Sequence, residues 1–441
     1  MRDYEADIAL QAMDRYDQAE AFISETVVNT VYIDGTRISN IETKREAGMM
    51  FRMAKDGRLG KSSVSLNSDD AVRNCIETAD TVLSFSPETP SFKGYAVPAQ
   101  AKIACPDVWD KKVVEITADD LRDLARRVIE NCTVDIPRAQ IRVSATESRT
   151  VNSNGVDVSH RSTLAYGHFT SMTRGDHAGE GMELYHGIGL DGLDPVRIGR
   201  SLSEKAVGSS NSKEFEGSRS LTMILPPDQL GDMLTSSVGS AINGENVKYG
   251  RSLWKDSIGK EVASPCIDIC DDPTVAAPLS CAFDDEGTPT ERRTIIGKGI
   301  LGGFLRDTFC GDSTGNGMRR SSVEAQGAYD RTPTIKPLNL TVRPGSKSPE
   351  ELIAETDEGI LVERFAWPEA DGLTGRFGLN VRCGHLVHKG EIVGTVSNAL
   401  LMGNMLECIR NVACIGNDPV QMGVVTVPTM SFEGTELVGG N

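Results

Sequence analysis

Residues 220–242 have the sequence SLTMILPPDQLGDMLTSSVGSAI, which predicts a buried strand followed at once by a helix. The first six residues form a short apolar run, and two prolines then end it. The same helix carries hydroxyl groups at Thr235, Ser236 and Ser240. Apolar side chains recur beyond the prolines at the spacing of one buried helix face, namely at Leu230, Met233, Leu234, Val238, Ala241 and Ile242.

An acidic turn downstream of this helix is the strongest cluster of carboxylates in the chain. Crowded carboxylates can coordinate a hard cation, or hold the amino group or basic side chains of a peptide. The simpler alternative is a solvated turn that ends at a glycine and a proline. The residues concerned are Asp284, Asp285, Glu286, Gly287 and Thr288, within the sequence FDDEGTPTERR.

Size and charge favour a globular protein of several domains that does not bind nucleic acid. A chain of 441 residues, 39% hydrophobic and 25% charged, has material for two or three cores. Its net charge of −17 repels phosphate backbones and anionic lipid. The basic pairs Arg292-Arg293 and Arg319-Arg320 are too short to form a DNA-binding stripe. We therefore expect neither a nucleic-acid partner nor a membrane partner.

The compartment is predicted from the first residues and from the cysteines. The sequence MRDYEADIAL lacks the apolar segment of a signal peptide, and no run approaches the ~20 apolar residues that span a bilayer. Ten cysteines without a compact framework indicate reduced thiols. We therefore expect a cytoplasmic protein.

The predicted elements indicate an α+β fold in three units. Residues 1–100 combine an opening helix near 4–20, antiparallel strands with two Asp-Gly turns, a second helix and a linker. That second helix is predicted to bury one face, made of Ala71, Cys75, Ala79 and Val82. Residues 101–213 form an α/β central segment, with Thr117 as the cap of a helix over 118–131. Residues 214–441 form a β-rich C-terminal domain.

Further candidate ligands and nucleophiles have simpler interpretations. Cys383 and His385 are two residues apart, so on a strand both side chains lie on the same face. Because chance pairs of this kind are common, we predict packing or surface roles for them. Cys266 and Cys270 are predicted to be buried apolar thiols. No G-x-S-x-G sequence or nearby histidine accompanies the helix serines, so structural roles are predicted for them. The glycine-rich loop at 311–317 lacks the Lys-Ser/Thr ending of a P-loop.

The order of several motifs resembles that of the TldD/PmbA family, long labelled modulators of DNA gyrase. The N-terminal part of the resemblance is VYIDGTRISNIETKREAGMMFRMAKDGRLG, at residues 31–60. A more specific C-terminal series consists of DDEGTPTERRTIIGKGILGGFLRD, GILVERF, GLTGRFGLN and IGNDP. The resemblance extends over essentially the whole chain.

The resemblance also indicates which residues are missing. In the TldD branch the helix carries a zinc-binding HExxxH motif, whose positions here are Thr235, Ser236 and Ser240. Hydroxyl groups are weak neutral ligands, whereas a zinc protease needs imidazoles and a carboxylate that accepts a proton from zinc-bound water. The TldD pattern adds a cysteine ligand after a GND motif, but neither Cys nor His follows Asp418 here. The chain is therefore similar to the PmbA/TldE branch, and we expect no metal and no cofactor in it.

The resemblance implies a non-catalytic subunit of a zinc metallopeptidase complex that processes or degrades unfolded or small peptides. A TldD-like partner would carry the zinc in a heterodimer, and this chain would support it and line part of the substrate chamber, with the acidic turn as a candidate groove. A homodimer of the chain alone is a further possibility. One alternative is a stand-alone peptide- or protein-binding regulator of the gyrase-modulator type. Another is a hydrolase whose site the sequence does not reveal.

Overall fold

The structure is a computed structural model that describes residues 3–68, 70–99, 106–175, 178–308, 318–319, 328–330 and 332–440. Up to residue 209 its elements are, in chain order, α1 (Asp3–Met13), β1 (Gln18–Asp34), β2 (Arg37–Lys55), β3 (Arg58–Ser65), α2 (Ala71–Phe85), α3 (Lys111–Val114), α4 (Ala118–Asn131), β4 (Asp135–Asn152), β5 (Asp157–Met172), β6 (Glu180–Gly187) and α5 (Pro195–Ser209).

The elements that follow are, in chain order, β7 (Lys213–Glu214), β8 (Gly217–Leu225), α6 (Pro227–Ala241), α7 (Gly244–Lys248), β9 (Ile269–Asp271), β10 (Arg293–Gly297), β11 (Ile300–Leu301), β12 (Met318–Arg319), β13 (Thr334–Ile335), β14 (Leu340–Val342), α8 (Pro349–Ala354), β15 (Glu358–Phe365), β16 (Arg376–His388), β17 (Glu391–Ser397), β18 (Ala399–Asn404), α9 (Met405–Cys408), β19 (Val412–Ile415), β20 (Val420–Met422), β21 (Val425–Val427) and β22 (Met430–Gly439). The predicted α+β class and the β-rich C-terminal region are confirmed.

The first six strands form one antiparallel sheet in the order β3-β2-β1-β4-β5-β6. Long strands with alternating apolar residues allow this sheet to bury one face under helices. Residues Met49, Phe51 and Met53 of β2 pack with α1 and α2, while Ile141 and Phe169 pack with α4 and α5. The boundary predicted near residue 100 falls between β3 and β4, so the first two predicted units share this sheet. The division into 1–100, 101–213 and 214–441 stays a proposal.

The helices of this region follow local signals, with two corrections. Thr117 caps α4 and forms a reciprocal capping box with Asp120, as its position predicts. The opening helix ends at Met13 and does not reach residue 20, because the chain enters β1 at Gln18, which pairs with β2. In α2, Val82 is exposed and Leu83 takes its place on the buried face.

The C-terminal region contains two sheets around one core. One sheet has the order β15-β8-β22-β18-β16-β17-β7, and because β15 also pairs with β16, five of its strands close into a ring. The other sheet has the order β11-β10-β9-β14-β21-β20. Helix α6 packs against β20 and β21 of the second sheet and against β15 of the first. Its position between the sheets explains why its apolar face is fully buried.

Within the described part of the chain, no helix combines the length and the apolar character that crossing a bilayer requires.

Candidate functional site

The strand–helix unit predicted from residues 220–242 is present as β8 and α6. The six predicted apolar positions of the helix are all buried, at no more than 4% exposure. Pro226 occupies the N-cap position and Pro227 begins the helix, where a missing backbone N–H costs nothing. Gln229 is buried and accepts a hydrogen bond from the Phe365 backbone N–H at 2.9 Å, which ties the start of α6 to the end of β15.

The hydroxyl groups of α6 bond to backbone groups close to them. Thr235 donates to the Gly231 carbonyl at 2.9 Å, and Ser236 donates to the Met233 carbonyl at 3.2 Å. The Ser236 Oγ also accepts a hydrogen bond from the Ala370 backbone N–H at 3.2 Å. A Cβ built on Gly372 would lie 2.8 Å from the Ser240 Oγ, so the segment after β15 covers this part of the helix closely. Back-bonding of this kind is a structural use of the Thr235 and Ser236 hydroxyls, and the absence of a catalytic role for the helix hydroxyls stays a prediction.

The acidic turn is buried, so its interpretation as a solvated turn is wrong. Asp284, Glu286 and Thr288 are each 3% exposed, and Asp285 is 6% exposed. The turn lies on the face of the first sheet that faces away from α1 and α2. There the Thr150 hydroxyl of β4 contacts the Asp285 carbonyl oxygen at 3.4 Å. A Cβ on Gly287, whose φ is +79°, would lie 2.6 Å from Val156 Cγ1.

A buried arginine joins the turn to the first sheet. The Arg52 guanidinium, on β2, lies 2.7 Å from a Glu20 carboxylate oxygen and 3.1 Å from a Glu286 carboxylate oxygen. It also lies 5.2 Å from the centre of the Tyr95 ring. The second Glu286 oxygen accepts hydrogen bonds from the Thr308 backbone N–H and hydroxyl. The two carboxylates that face Arg52 raise its pKa even though burial acts to lower it.

Asp284 is a buried acid inside this turn. Its Oδ1 accepts hydrogen bonds from the backbone N–H groups of Glu286 and Thr288, each at 3.0 Å. Among the described residues its Oδ2 has no hydrogen-bond partner. Burial, together with the neighbouring negative charge of Glu286, raises the pKa of Asp284 well above its usual range.

The predicted groove has little room at this turn. A cavity of about 10 Å³ lies between the turn and the sheet, lined in part by Phe22, His160 and Asp284. That volume is close to the minimum for one water molecule. The assignment of Asp284–Thr288 to substrate binding therefore stays a prediction. In the structure the turn forms an internal contact between the C-terminal region and the first sheet.

A larger cavity, of about 620 Å³, lies at the sheet that contains β9, β10 and β14. It is lined in part by Arg292, Arg343 and Cys270. Arg292 pairs with Asp272 at 3.1 Å and Arg343 pairs with Asp268 at 3.3 Å, so the charges at its wall are balanced. Cys270 is half-buried and Cys266 is exposed, so the prediction that both are buried is wrong. The glycine-rich loop at 311–317 lies outside the described residues.

Three potential metal ligands meet where β15 and β16 pair. The ligand atoms of Glu363, Cys383 and His385 all lie within 4.8 Å of one another. His385 Nε2 lies 2.7 Å from Glu363 Oε2, and Cys383 Sγ lies 3.4 Å from the same oxygen and 4.0 Å from His385 Nε2. Cys383 and His385 share a strand face, as their spacing predicts. Packing was predicted for the pair, and the sequence did not indicate Glu363 as its neighbour.

This cluster does not have the arrangement of a cysteine nucleophile. Burial and the nearby Glu363 carboxylate raise the pKa of the Cys383 thiol, which opposes thiolate formation. Glu363 contacts the same imidazole nitrogen that faces the thiol, whereas a catalytic triad needs the carboxylate on the opposite nitrogen. That opposite nitrogen, Nδ1, contacts the Thr395 hydroxyl of β17 at 3.2 Å.

Comparison with known proteins gives the chain its family. Sequence models of the PmbA/TldA metallopeptidases match it in three parts: domain 1 at residues 19–81, the central domain at 111–209 and the C-terminal domain at 218–439. The chain belongs to the TldD/PmbA family.

Similar proteins occur in archaea and bacteria. An uncharacterized protein of Methanocaldococcus jannaschii is 24% identical over 438 residues, which cover 96% of this chain and 99% of that protein. The Escherichia coli O157:H7 protein named Metalloprotease PmbA is 24% identical over 444 residues, covering 96% of this chain and 94% of that one. A Metalloprotease TldD homolog of Buchnera aphidicola from Acyrthosiphon pisum is 27% identical over 310 residues, covering 67% of this chain and 62% of that one.

Two solved structures have the same fold. TldE from Thermococcus kodakarensis superposes with a TM-score of 0.88 at 20% identity, over 99% of this chain and 100% of that one. A candidate modulator of a DNA gyrase from Thermotoga maritima gives a TM-score of 0.87 at 21% identity, over the same shares of the two chains. The fold of the TldD/PmbA family thus extends over the described residues of this chain.

The residues of α6 do not fit the zinc ion that a metallopeptidase of this family implies. The three hydroxyls at the motif positions are neutral, and Thr235 and Ser236 already donate to helix carbonyls. Asp418, at the start of the tail, accepts hydrogen bonds from the Thr429 backbone N–H and hydroxyl at 3.0 and 2.7 Å. Neither the helix nor the tail offers the imidazole or thiolate ligands that zinc prefers.

Glu20, Arg52 and Glu363 were not predicted from the sequence. A signal for the first two was available, because Glu20 and Arg52 are charged residues within otherwise apolar strand segments, AEAFI and MMFRMA. A charge in such a segment needs a buried partner. No comparable signal marked Glu363, whose position depends on how β15 pairs with β16.

Proposed function

We propose that this chain is the non-catalytic, TldE-type subunit of a two-chain metallopeptidase that processes or degrades unfolded or small peptides. The observation that carries the proposal is that the three positions of the zinc motif in α6 hold hydroxyl side chains, two of which, Thr235 and Ser236, are bonded to the backbone. Helix α6 is fully packed but carries no zinc ligands. This combination supports a subunit that has kept the surface of the family without its hydrolytic chemistry.

In this proposal a TldD-like chain supplies the zinc, and this chain completes the structure around it. Relatives named Metalloprotease TldD homolog and a neighbour named TldE show that the family contains both kinds of chain, which is compatible with such a pairing. The two chains would form a heterodimer in the cytoplasm, where the reduced state of the cysteines would be maintained. This chain alone would form at most a homodimer without peptidase activity.

The proposed substrate is a peptide in an extended conformation. Strand β20 pairs only with β21 among the described strands, and it packs beside α6. An edge strand offers free backbone N–H and C=O groups, so it would recognise a peptide's backbone whatever its side chains are. Recognition of this kind suits a subunit that handles unfolded chains.

The test is to reconstitute this chain with a TldD-like protein that carries the HExxxH motif and is encoded in the same genome. We expect a complex that cleaves unfolded peptides, with no cleavage by this chain alone. Cleavage by this chain alone that persists in EDTA and is lost on substituting Ser236, Ser237 or Ser240 would instead indicate an unrecognised hydrolase site. A stable chain that binds its own protein target and has no affinity for the TldD-like protein would instead support a stand-alone regulator.

A further inference from the structure

We propose that Glu363, Cys383 and His385 form a binding site for one divalent transition-metal ion of the zinc class, separate from the zinc-motif positions of the family. This inference does not rest on the proposed subunit role, and it departs from the expectation of a chain without metal. The site lies on the first C-terminal sheet, where β15, β16 and β17 are neighbours.

The three donor atoms converge on one point. Tetrahedral zinc, with bonds of about 2.0–2.3 Å, holds its ligand atoms roughly 3–4 Å apart. The separations here are 2.7, 3.4 and 4.0 Å, so small side-chain movements bring all three atoms into range. Three protein ligands leave a fourth position for water or another donor.

The backbone brings the carboxylate to the pair of ligands on β16. The pairing of β15 with β16 changes register between Val362 and Arg364, which makes Glu363 the extra residue of a β-bulge. Leu361 pairs with His385 and Val362 pairs with Gly384, so alternation along β15 directs Glu363 to the face that carries His385 and Cys383. Bulges are frequent next to functional sites.

The imidazole is oriented as a metal ligand needs. His385 lies opposite Thr395 in the pairing of β16 with β17, and its Nδ1 is 3.2 Å from the Thr395 hydroxyl. This contact leaves Nε2 facing Glu363 and Cys383. Metal-bound histidines commonly hold their second ring nitrogen by such a bond, which fixes the ring.

The electrostatic balance suits a divalent ion. Metal binding would release the proton of the Cys383 thiol, and the thiolate and the carboxylate would then neutralise the two positive charges of the ion, so the half-buried site would carry no net charge. The cations near the cluster are themselves paired. Lys205 lies 2.8 Å from a Glu183 oxygen, and Arg364 lies 2.9 Å from a Glu180 oxygen. Their charges therefore do not have to be met by the proposed ligands.

The test is titration of the purified, metal-free full chain with Co²⁺, whose bond to a thiolate gives a charge-transfer absorption. We expect one-to-one binding with this absorption, and displacement of the cobalt by Zn²⁺. Cys383→Ser should abolish the absorption, and Glu363→Gln and His385→Gln should weaken binding strongly. Thr395→Val, which removes only the bond to Nδ1, should weaken binding by about 10- to 100-fold.

The matched controls are Cys266→Ser, an exposed thiol, and His388→Gln, whose ring pairs with Glu358 on the same two strands. Both should leave cobalt binding unchanged. The proposal is overturned if the wild-type chain shows no saturable thiolate absorption. It is also overturned if binding is equal in the three ligand variants, or if it is lost in a control. Circular dichroism identifies variants that do not fold, and Glu363→Gln, at a partly exposed side chain, still tests the site if Cys383→Ser does not fold.

Discussion

At the scale of single residues, the buried ion pairs of Arg52 carry the contact between the acidic turn and the first sheet. Replacing Arg52 by Met would leave the Glu20 and Glu286 carboxylates buried without their cation. Removing one partner of a buried pair typically costs about 3–5 kcal/mol. We therefore expect Arg52→Met to lower the free energy of unfolding in urea by about that amount.

The control for this prediction is Arg45→Met, on the same strand. Arg45 pairs with Glu25, but 71% of its side chain is exposed, so its loss should cost at most about 1 kcal/mol. Adding Glu286→Gln to Arg52→Met should recover part of the lost stability. Equal and small losses of unfolding free energy in both single variants would show that Arg52 does not stabilise the contact between the acidic turn and the first sheet.

Asp284 predicts how stability depends on pH. Because its folded pKa is raised, the unfolded chain releases this proton near pH 4 while the folded chain still holds it. The contribution of this carboxyl to stability is therefore fully present below about pH 4 and falls as the pH rises through the folded pKa. Asp284→Asn keeps an oxygen that can accept from the Glu286 and Thr288 N–H groups and removes the ionisation.

The stability of Asp284→Asn relative to wild type should therefore increase from pH 4 upward and then level off. Urea unfolding of both proteins between pH 4 and pH 8 measures this difference. A difference that stays constant or decreases over that range would contradict a raised pKa at Asp284.

At the scale of elements, the conformation of the acidic turn depends on Gly287. Its φ of +79° favours glycine, and an added Cβ would meet Val156 Cγ1 at 2.6 Å. Gly287→Ala should lower the free energy of unfolding by about 1–2 kcal/mol because of the left-handed backbone, and by about 1–3 kcal/mol more because the new Cβ collides with Val156. Gly35→Ala, at φ +64° with open space around it, should cost only the first amount. Urea unfolding of the two variants compares them, and equal losses would show that the turn does not press against the sheet.

Elements set by local signals could be predicted from the sequence. The Thr117 cap, the apolar face of α6 and the turn at Gly35 each depend on a few neighbouring residues. Elements set by distant pairing could not. The bulge at Glu363 exists only because β15 pairs with β16, and Val82 is exposed only because of how α2 rests on its sheet.

The same distinction applies to the site. The hydroxyl residues Thr235, Ser236 and Ser240, which the family resemblance aligns with the HExxxH motif, are read directly from the sequence, and this assignment stays a prediction. The burial of the acidic turn is not evident from the sequence, because three consecutive acidic residues followed by a glycine usually lie in solvent. Arg52, which lies more than two hundred residues away in the chain, neutralises the turn and makes its burial possible.

At the scale of the whole molecule, a buried ionic contact joins two parts, and α6 is packed between the two sheets of the second part. The first sheet meets the C-terminal region through Arg52 and Glu286, and α6 connects the two C-terminal sheets. Substituting Ser236 or Ser240 by Ala should therefore leave the peptidase activity of the reconstituted complex unchanged. A loss of kcat with either variant would give these hydroxyls a role in hydrolysis.

The proposed non-catalytic role is tested most directly by the peptidase activity of this chain alone and with a TldD-like partner, measured on an unfolded peptide. We expect no cleavage by the single chain, and EDTA-sensitive cleavage by the co-purified complex that disappears when the HExxxH glutamate of the partner is replaced by Gln. Cleavage by the single chain, or a partner that neither binds it nor gains activity from it, would rule out the proposed subunit role.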